Sequence, residues 1–402
     1  MTRDADSLAR IQRFNAGRDP ERLAMKYQKM RASPFAFLRG TCHLFYQRLA
    51  ELERLKDSPL VWACGDLHLE NFGSYKGSNR QVYFDLNDFD EAALAPASWD
   101  LLRMLASIEL GALDAGLKPR RAEALCQAFV QTYADALSLG KSYWLERETA
   151  TGPIHRLLGE LRERKRGAFL DTRTEVRAGK RAIRLDGKKA LPVNAQERKH
   201  VKALIAAHAA TQASPGFYRV LDVARRIAGT GSLGLERYIV LVKGKGGLDG
   251  NYLLDLKRAV PSSLAARLKN KQPRWASEGQ RVVALQQRIQ AVPMAFLAPL
   301  EGANASYVLR ALQPSEDRIS LSDLKADAQA ELVRSMGQIV AWAHLRTCAR
   351  QGSASADELI AFGSRKGWRA PLLACAQRCA EQVRQDAALF NQAYDRGELH
   401  GQ

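Results

Sequence analysis

The apolar positions of this chain change period several times along its length, and each change marks a new kind of element. In "TCHLFYQRLAELERL" Leu44, Phe45, Leu49 and Leu52 recur at helical spacing, so residues 20–57 are expected to be helical. From residue 60 the period shortens. "LVWAC" and "QVYFDL" read as short strands around the turn-rich "SYKGSNR", which predicts a loop followed by a hairpin over 60–90. Beyond Asp100, "WDLLRMLASIELGALDAG" and "RRAEALCQAFVQTYADAL" return to the helical period through about residue 147.

Residues 217–260 are strand-like again. "FYRVLDVARRIAG", "LERYIVLVKG" and "NYLLDLKRA" are separated by the glycine-rich "GTGSLG" and "GKGGLDG", the pattern of an antiparallel meander. A helix at 278–291 and the strand "SYVLRAL" follow. From Leu321 onward the text is helical, with Leu332, Met336, Ile339, Val340 and Ala343 in one apolar stripe. The expected class is α+β, in four parts: an N-terminal helical segment (1–59), a part with the hairpin and helices (60–215), a β-rich lobe (216–314) and a helical remainder (315–402).

At 402 residues and 46% hydrophobic content, the chain can bury a core without crosslinks. The six Cys are unevenly spaced and are expected to be reduced, with Cys375 and Cys379 on one buried helix face. No apolar run is long enough to span a bilayer and the first twenty residues lack a signal-peptide core, so a cytoplasmic protein is expected. A net charge of +18 suits a nucleic acid, an anionic surface or a phosphate-rich ligand. Residues 162–202 hold fourteen Lys/Arg against five Asp/Glu, yet Phe169 is their only Phe, Tyr or Trp. Without a stacking platform, a small acidic ligand suits that segment better than a single strand of nucleic acid.

Against this basic background, "VWACGDLHLENFGSYKGSNRQVYFDLNDFDEA" (61–92) concentrates four Asp and two Glu. Phosphoryl transfer asks a protein for a carboxylate that accepts the proton of the attacking hydroxyl, and for oxygen ligands to Mg²⁺. Asp66, Asn71 five residues later, and Asp88 past the hairpin supply those groups. An Asp-x-x-x-x-Asn loop followed by a strand ending in Asp-Phe-x is the order of the catalytic and metal loops in protein-kinase-like enzymes.

"GDLHLENFG" resembles the H-G-D-x-H-x-x-N loop of the aminoglycoside phosphotransferase and choline kinase branch. "NDFDEA" resembles the metal segment of that branch, and "PASWDLLRMLAS" is similar to its following helix. Together with "KMRASPFAFLRG", these motifs look like the bacterial family named domain of unknown function 2252, over most of the chain. The resemblance implies Asp66 as catalytic base, with His68 holding the geometry of the catalytic loop. It implies Asn71 and Asp88 as Mg²⁺ ligands, Asp90 as a further candidate, and Asp100 as a brace for the loop. Cys64 stands where the phosphotransferase loop has its first His.

Only about sixty residues, helical by pattern, precede Asp66, so a nucleotide lobe must lie elsewhere. In "GTGSLG", Gly229, Gly231, Ser232 and Gly234 form a G-x-G-x-x-G run followed by strand-like "LERYIVLV". That context fits a kinase phosphate loop, since a dinucleotide fingerprint would open a helix. Lys257 in "YLLDLKRA" is expected to pair with nucleotide phosphates, Glu278 to be its acidic partner, and backbone around Leu312 to meet adenine. The expected fold is therefore two-lobed and protein-kinase-like but circularly permuted, a rearrangement that neighbouring termini permit. Either the helix before Val61 or the one carrying "WAHLRT" leads into the catalytic loop. The expected activity is an ATP- and Mg²⁺-dependent phosphotransferase acting on a hydroxyl of a small anionic acceptor. A nucleotidyltransferase or nucleotide-binding pseudokinase on the same fold is the alternative. A nucleic-acid-binding protein using residues 162–202 is a further one.

Overall fold

Cap chemistry cuts the N-terminal helical text into separate helices in the computed structural model, which describes residues 3–52 and 58–399. They are α1 (Arg3–Asn15), α2 (Pro20–Met30), α3 (Pro34–Gly40) and α4 (Cys42–Leu52). Asp19 and Ser33 cap α2 and α3, each followed by a Pro whose missing N–H costs nothing at a helix start. The run expected over 20–57 is thus three helices, and residues 53–57 lie outside the described residues.

The strands β1 (Leu60–Ala63), β2 (Phe72–Lys76), β3 (Val82–Leu86) and β4 (Ala93–Pro96) follow. β2 and β3 are the expected hairpin, paired from Phe72↔Leu86 to Lys76↔Val82, and β1 pairs with β4. Next come α5 (Ala97–Asp114) and α6 (Pro119–Leu139). Gly140, left-handed at φ 67°, closes α6, so the helical text ends before residue 147 and β5 (Leu145–Glu146) joins β3 instead. Then comes α7 (Gly152–Glu160).

The basic stretch contains α8 (Arg166–Asp171), β6 (Thr174–Arg177), β7 (Lys180–Ile183), β8 (Ala190–Leu191) and α9 (Ala195–Ala210). The meander is β9 (Val220–Arg226), β10 (Arg237–Val242) and β11 (Tyr252–Arg258), followed by α10 (Glu278–Ile289), β12 (Ala298–Glu301) and β13 (Ser306–Leu312). Together they build an antiparallel sheet of order β12-β13-β11-β10-β9-β8. Alternation along β11 separates its two faces. Leu254 and Leu256 pack with Val201, Leu204 and Ile205 of α9. Leu253 packs with Leu170 and Ile183 on the opposite face. Residues 166–210 therefore belong to the β-rich body. The expected 60–215 part is split there, because β8 pairs with β9 and the apolar residues of α8, β7 and α9 pack against the sheet.

The chain ends in α11 (Ala326–Arg346), α12 (Ala356–Ser364) and α13 (Arg369–Asp395). These share one hydrophobic core with the N-terminal helices, β1–β4, α5 and α6, the expected stripe of α11 included. Cys375 and Cys379 are buried in α13 as their spacing predicts. Among the described residues, no helix is long and apolar enough to cross a membrane.

Candidate functional site

One face of α5 cradles the loop 64–69. Asp100, Arg103 and Ser107 follow each other at helical intervals in the buried part of a mostly apolar helix, so they point the same way. Asp100 accepts the Cys64 amide at 2.7 Å and the Gly65 amide at 2.9 Å, bracing the loop as the resemblance implies. Arg103 donates to Asp66 Oδ1 through Nε at 2.8 Å and again through Nη2, and Ser107 Oγ accepts the Leu69 amide at 2.9 Å. Gly65 sits at φ +86°, where a Cβ would overlap the Glu91 carbonyl. Both helices that sequence left open touch this loop or its brace. Tyr46 of α4 donates to the Gly65 carbonyl, and His344 of α11 places Nε2 3.5 Å from Asp100 with Nδ1 2.9 Å from the Tyr133 hydroxyl.

Asp66 lines the cleft between the helical and β-rich bodies. With Oδ1 held by Arg103, Oδ2 lies 4.0 Å from His68 Nε2. His68 is buried, and burial with Arg39 and Arg103 nearby holds its imidazole well below the usual range. The neutral ring accepts the Glu70 amide on Nδ1 at 3.1 Å, so its proton sits on Nε2, toward Asp66. Asn71 Oδ1 accepts the Asp88 amide at 2.7 Å and its Nδ2 donates to the carbonyls of Asp66 (3.0 Å) and Asp88 (3.1 Å). The side chain expected to hold metal clasps the two loops together through these bonds. Cys64 adds to that clasp, its thiol 3.1 Å from the Asp88 carbonyl. Burial, then Asp100 and Asp88, pushes the thiol well up, so it keeps the proton it donates.

Lys257 of β11 meets the carboxylates of Asp88 and Asp90 from the β-rich body. It pairs with Asp90 and lies 3.5 Å from Asp88. Asp88 is deep in the molecule by the atoms around it, yet its side chain is 54% exposed because it opens onto the cleft. Burial opposes its charge, but Lys257, Arg310 and Arg237 outweigh burial and hold the carboxyl at about 2. Burial, followed by Asp88, pushes Asp90 the other way despite Lys257. Glu278 is not the acidic partner of Lys257: it binds Arg281 at 2.6 Å, three residues along the first turn of α10, a local pairing closer than any reach across the sheet. Asp85 turns from the cleft to Arg346 at 3.2 Å.

The glycine run joins β9 to β10, the two-strand context its sequence predicts, and Gly229, Gly231 and Ser232 line the cleft. Its carbonyls are drawn to the N-terminal helices. Arg18 takes those of Gly231 (2.7 Å) and Leu233 (2.8 Å), Lys26 that of Gly231 (3.0 Å), and the Asp19 amide that of Gly234 (3.0 Å). Gly234 thereby faces the N-terminal segment, at φ +89°. Lys26 is wholly buried, and burial with Arg18 beside it lowers its ammonium well below the usual range. Leu312 lies at the cleft end of β13, and the cleft volume of about 380 Å³ is that of a small-molecule site. Among the described residues, no group of three His, Cys, Asp or Glu is arranged to hold a metal ion by itself.

Sequence reasoning missed Arg103, Arg18, Lys26 and a buried Asp255 ringed by Arg226, Arg237 and Arg310. Two of these left a trace. Arg103 follows Asp100 at one helical turn, and Asp255 alternates with Lys257 among Leu253, Leu254 and Leu256. The others come together only through folding. No curated protein and no solved structure gave a match to the chain. The description "uncharacterized protein conserved in bacteria (DUF2252)" matches residues 18–393, and the chain belongs to that family.

Proposed function

We propose that the chain is an ATP- and Mg²⁺-dependent phosphotransferase of circularly permuted, protein-kinase-like arrangement, acting on a hydroxyl of a small anionic acceptor. The observation that carries this is Lys257 on the β-rich body paired with Asp90 and 3.5 Å from Asp88, those two carboxylates lining one cleft with Asp66 and the glycine loop. Asp88 and Asp90 suit Mg²⁺, which takes one or two carboxylates and completes its shell with phosphate oxygens and water. When bound, it would neutralise phosphate charge. Asp66, steered by Arg103, accepts the proton of the acceptor hydroxyl as its oxygen bonds to the terminal phosphorus; the anhydride bond breaks and ADP leaves. The basic stretch is in part already paired, Arg181 with Asp171 at 2.6 Å and Arg198 with Asp222 of β9 at 2.8 Å, which favours a cleft ligand over a nucleic acid.

Binding without turnover, or nucleotidyl transfer, would use the same cleft, and the engaged oxygen of Asn71 favours the former. ATP labelled at the α or γ position separates the three. Label from γ is expected on an acceptor with Mg²⁺, and to vanish in Asp88→Asn; label from α, or from neither, would reject phosphotransfer.

A further inference from the structure

Between Leu312 and Lys257 the sheet face that lines the cleft is charged where a nucleobase would want an apolar wall. In register, Asp255 stands opposite Arg310 of β13, and Lys257 opposite Arg237 of β10. The Asp255 carboxylate is 1% exposed. It receives Arg237 Nε at 2.9 Å and Nη2 at 2.6 Å, and Arg310 Nε at 3.2 Å. Arg226 Nη1 lies 2.6 Å away without the alignment of a hydrogen bond. Glu316, after β13, adds a second carboxylate and Arg173 a fourth guanidinium; Glu316 Oε1 and Arg173 Nε are both buried without partners.

Four guanidinium groups thus face the carboxylates of Asp255 and Glu316, with Asp88 also acting on Arg237 and Arg310. One fork per carboxylate would clasp these strands together; this wall holds more cation than a clasp needs, inside a low-dielectric site. Burial first, with Arg237 and Arg310 adding to the fall, lowers Arg226 to about 10 against the pull of Asp255, while Asp255 outweighs burial at Arg237 and Arg310 and holds both above the usual range. The group that relieves such crowding is an anion with several oxygens, and guanidinium forks match phosphate in geometry.

The geometry points to a phosphate subsite formed by Arg226, Arg237 and Arg310 on the sheet face of the cleft, taking a phosphate group of the donor or of the acceptor. It rests on the cleft being the ligand site, as in the proposed function, but needs neither Mg²⁺ nor turnover. Calorimetric titration of the full-length protein with inorganic tripolyphosphate, without Mg²⁺, tests it. Binding is expected, weakened about tenfold or more in Arg310→Gln and in Arg226→Gln, and less in Arg310→Lys, which keeps the charge but loses the fork. Urea midpoints check that each variant is folded. If saturating ADP displaces tripolyphosphate, the donor supplies the phosphate; if tripolyphosphate still binds, the acceptor does. No binding to the wild type, or equal binding to folded Gln variants, would overturn the subsite. Asp88→Asn should bind tripolyphosphate and yet lose turnover, so the subsite and the phosphotransferase can fail separately.

Discussion

Asp100→Asn tests whether one helix face sets the loop that carries Asp66. Each oxygen of Asp100 holds one buried amide, Cys64 at 2.7 Å and Gly65 at 2.9 Å, and the residue is 1% exposed. Asn has a single oxygen. Its amide nitrogen must then face one of those N–H groups, donor against donor. A hydrogen bond to a charged group contributes about 1.5–3 kcal/mol, and a buried donor left unmade costs a comparable amount, so the loss should be about 2–4 kcal/mol. That is a large part of a typical total of about 5–15 kcal/mol. Urea unfolding followed by tryptophan fluorescence should move the midpoint with an unchanged slope. Hydrogen exchange should quicken at the Cys64 or Gly65 amide before the rest of the core. A loss below about 1 kcal/mol, or uniform quickening throughout the core, would refute a local brace.

Gly65→Ala should cost more than about 2 kcal/mol, because a left-handed residue gains a Cβ that overlaps the Glu91 carbonyl; an unchanged melting temperature would show that the turn can relax. Acid should weaken the fold earlier than carboxylate titration would. His43 and His68 are held well below the usual range, first by burial, with Lys26, Arg18, Arg103 and Arg267 facing His43. The unfolded chain therefore binds protons that the folded one refuses. The stability both residues confer is present above about pH 6.5 and falls below it by up to about 1.4 kcal/mol per pH unit for each histidine. His43 has no partner on either ring nitrogen and stacks on Phe14 at 3.7 Å, so His43→Phe should remove about half of the slope between pH 6.5 and 5.5. An unaltered slope would place the titration elsewhere.

The carboxylate loop, its brace and the glycine run were legible because each is a short motif whose residues lie close in sequence and whose turns have local causes. Asp66, Asp88 and Gly229 to Ser232 all line the cleft. What residue type and spacing left out at Asn71 is a hydrogen bond: besides being compatible with a metal ligand, its oxygen accepts the Asp88 amide. Glu278 failed for a related reason, since a local Arg281 outcompetes a distant Lys. The basic stretch misled as a block. Its count of charges says nothing of which side chains pair inward, as Arg181 does, and which reach the cleft, as Arg173 does.

The sequence by itself determined the order of the main helices, the hairpin and the meander, since the period of apolar positions and the chemistry of caps and turns act within a few residues; the short elements of residues 152–210 did not show in it. It determined which functional groups the cleft can draw on. Tertiary structure decided how those groups are paired. Lys257 with Asp90, Arg103 with Asp66, and three arginines around Asp255 join segments far apart in the chain. Coulomb energy and hydrogen bonding depend on distances of a few ångströms, and those distances are set only when the helical core and the six-stranded sheet close on each other.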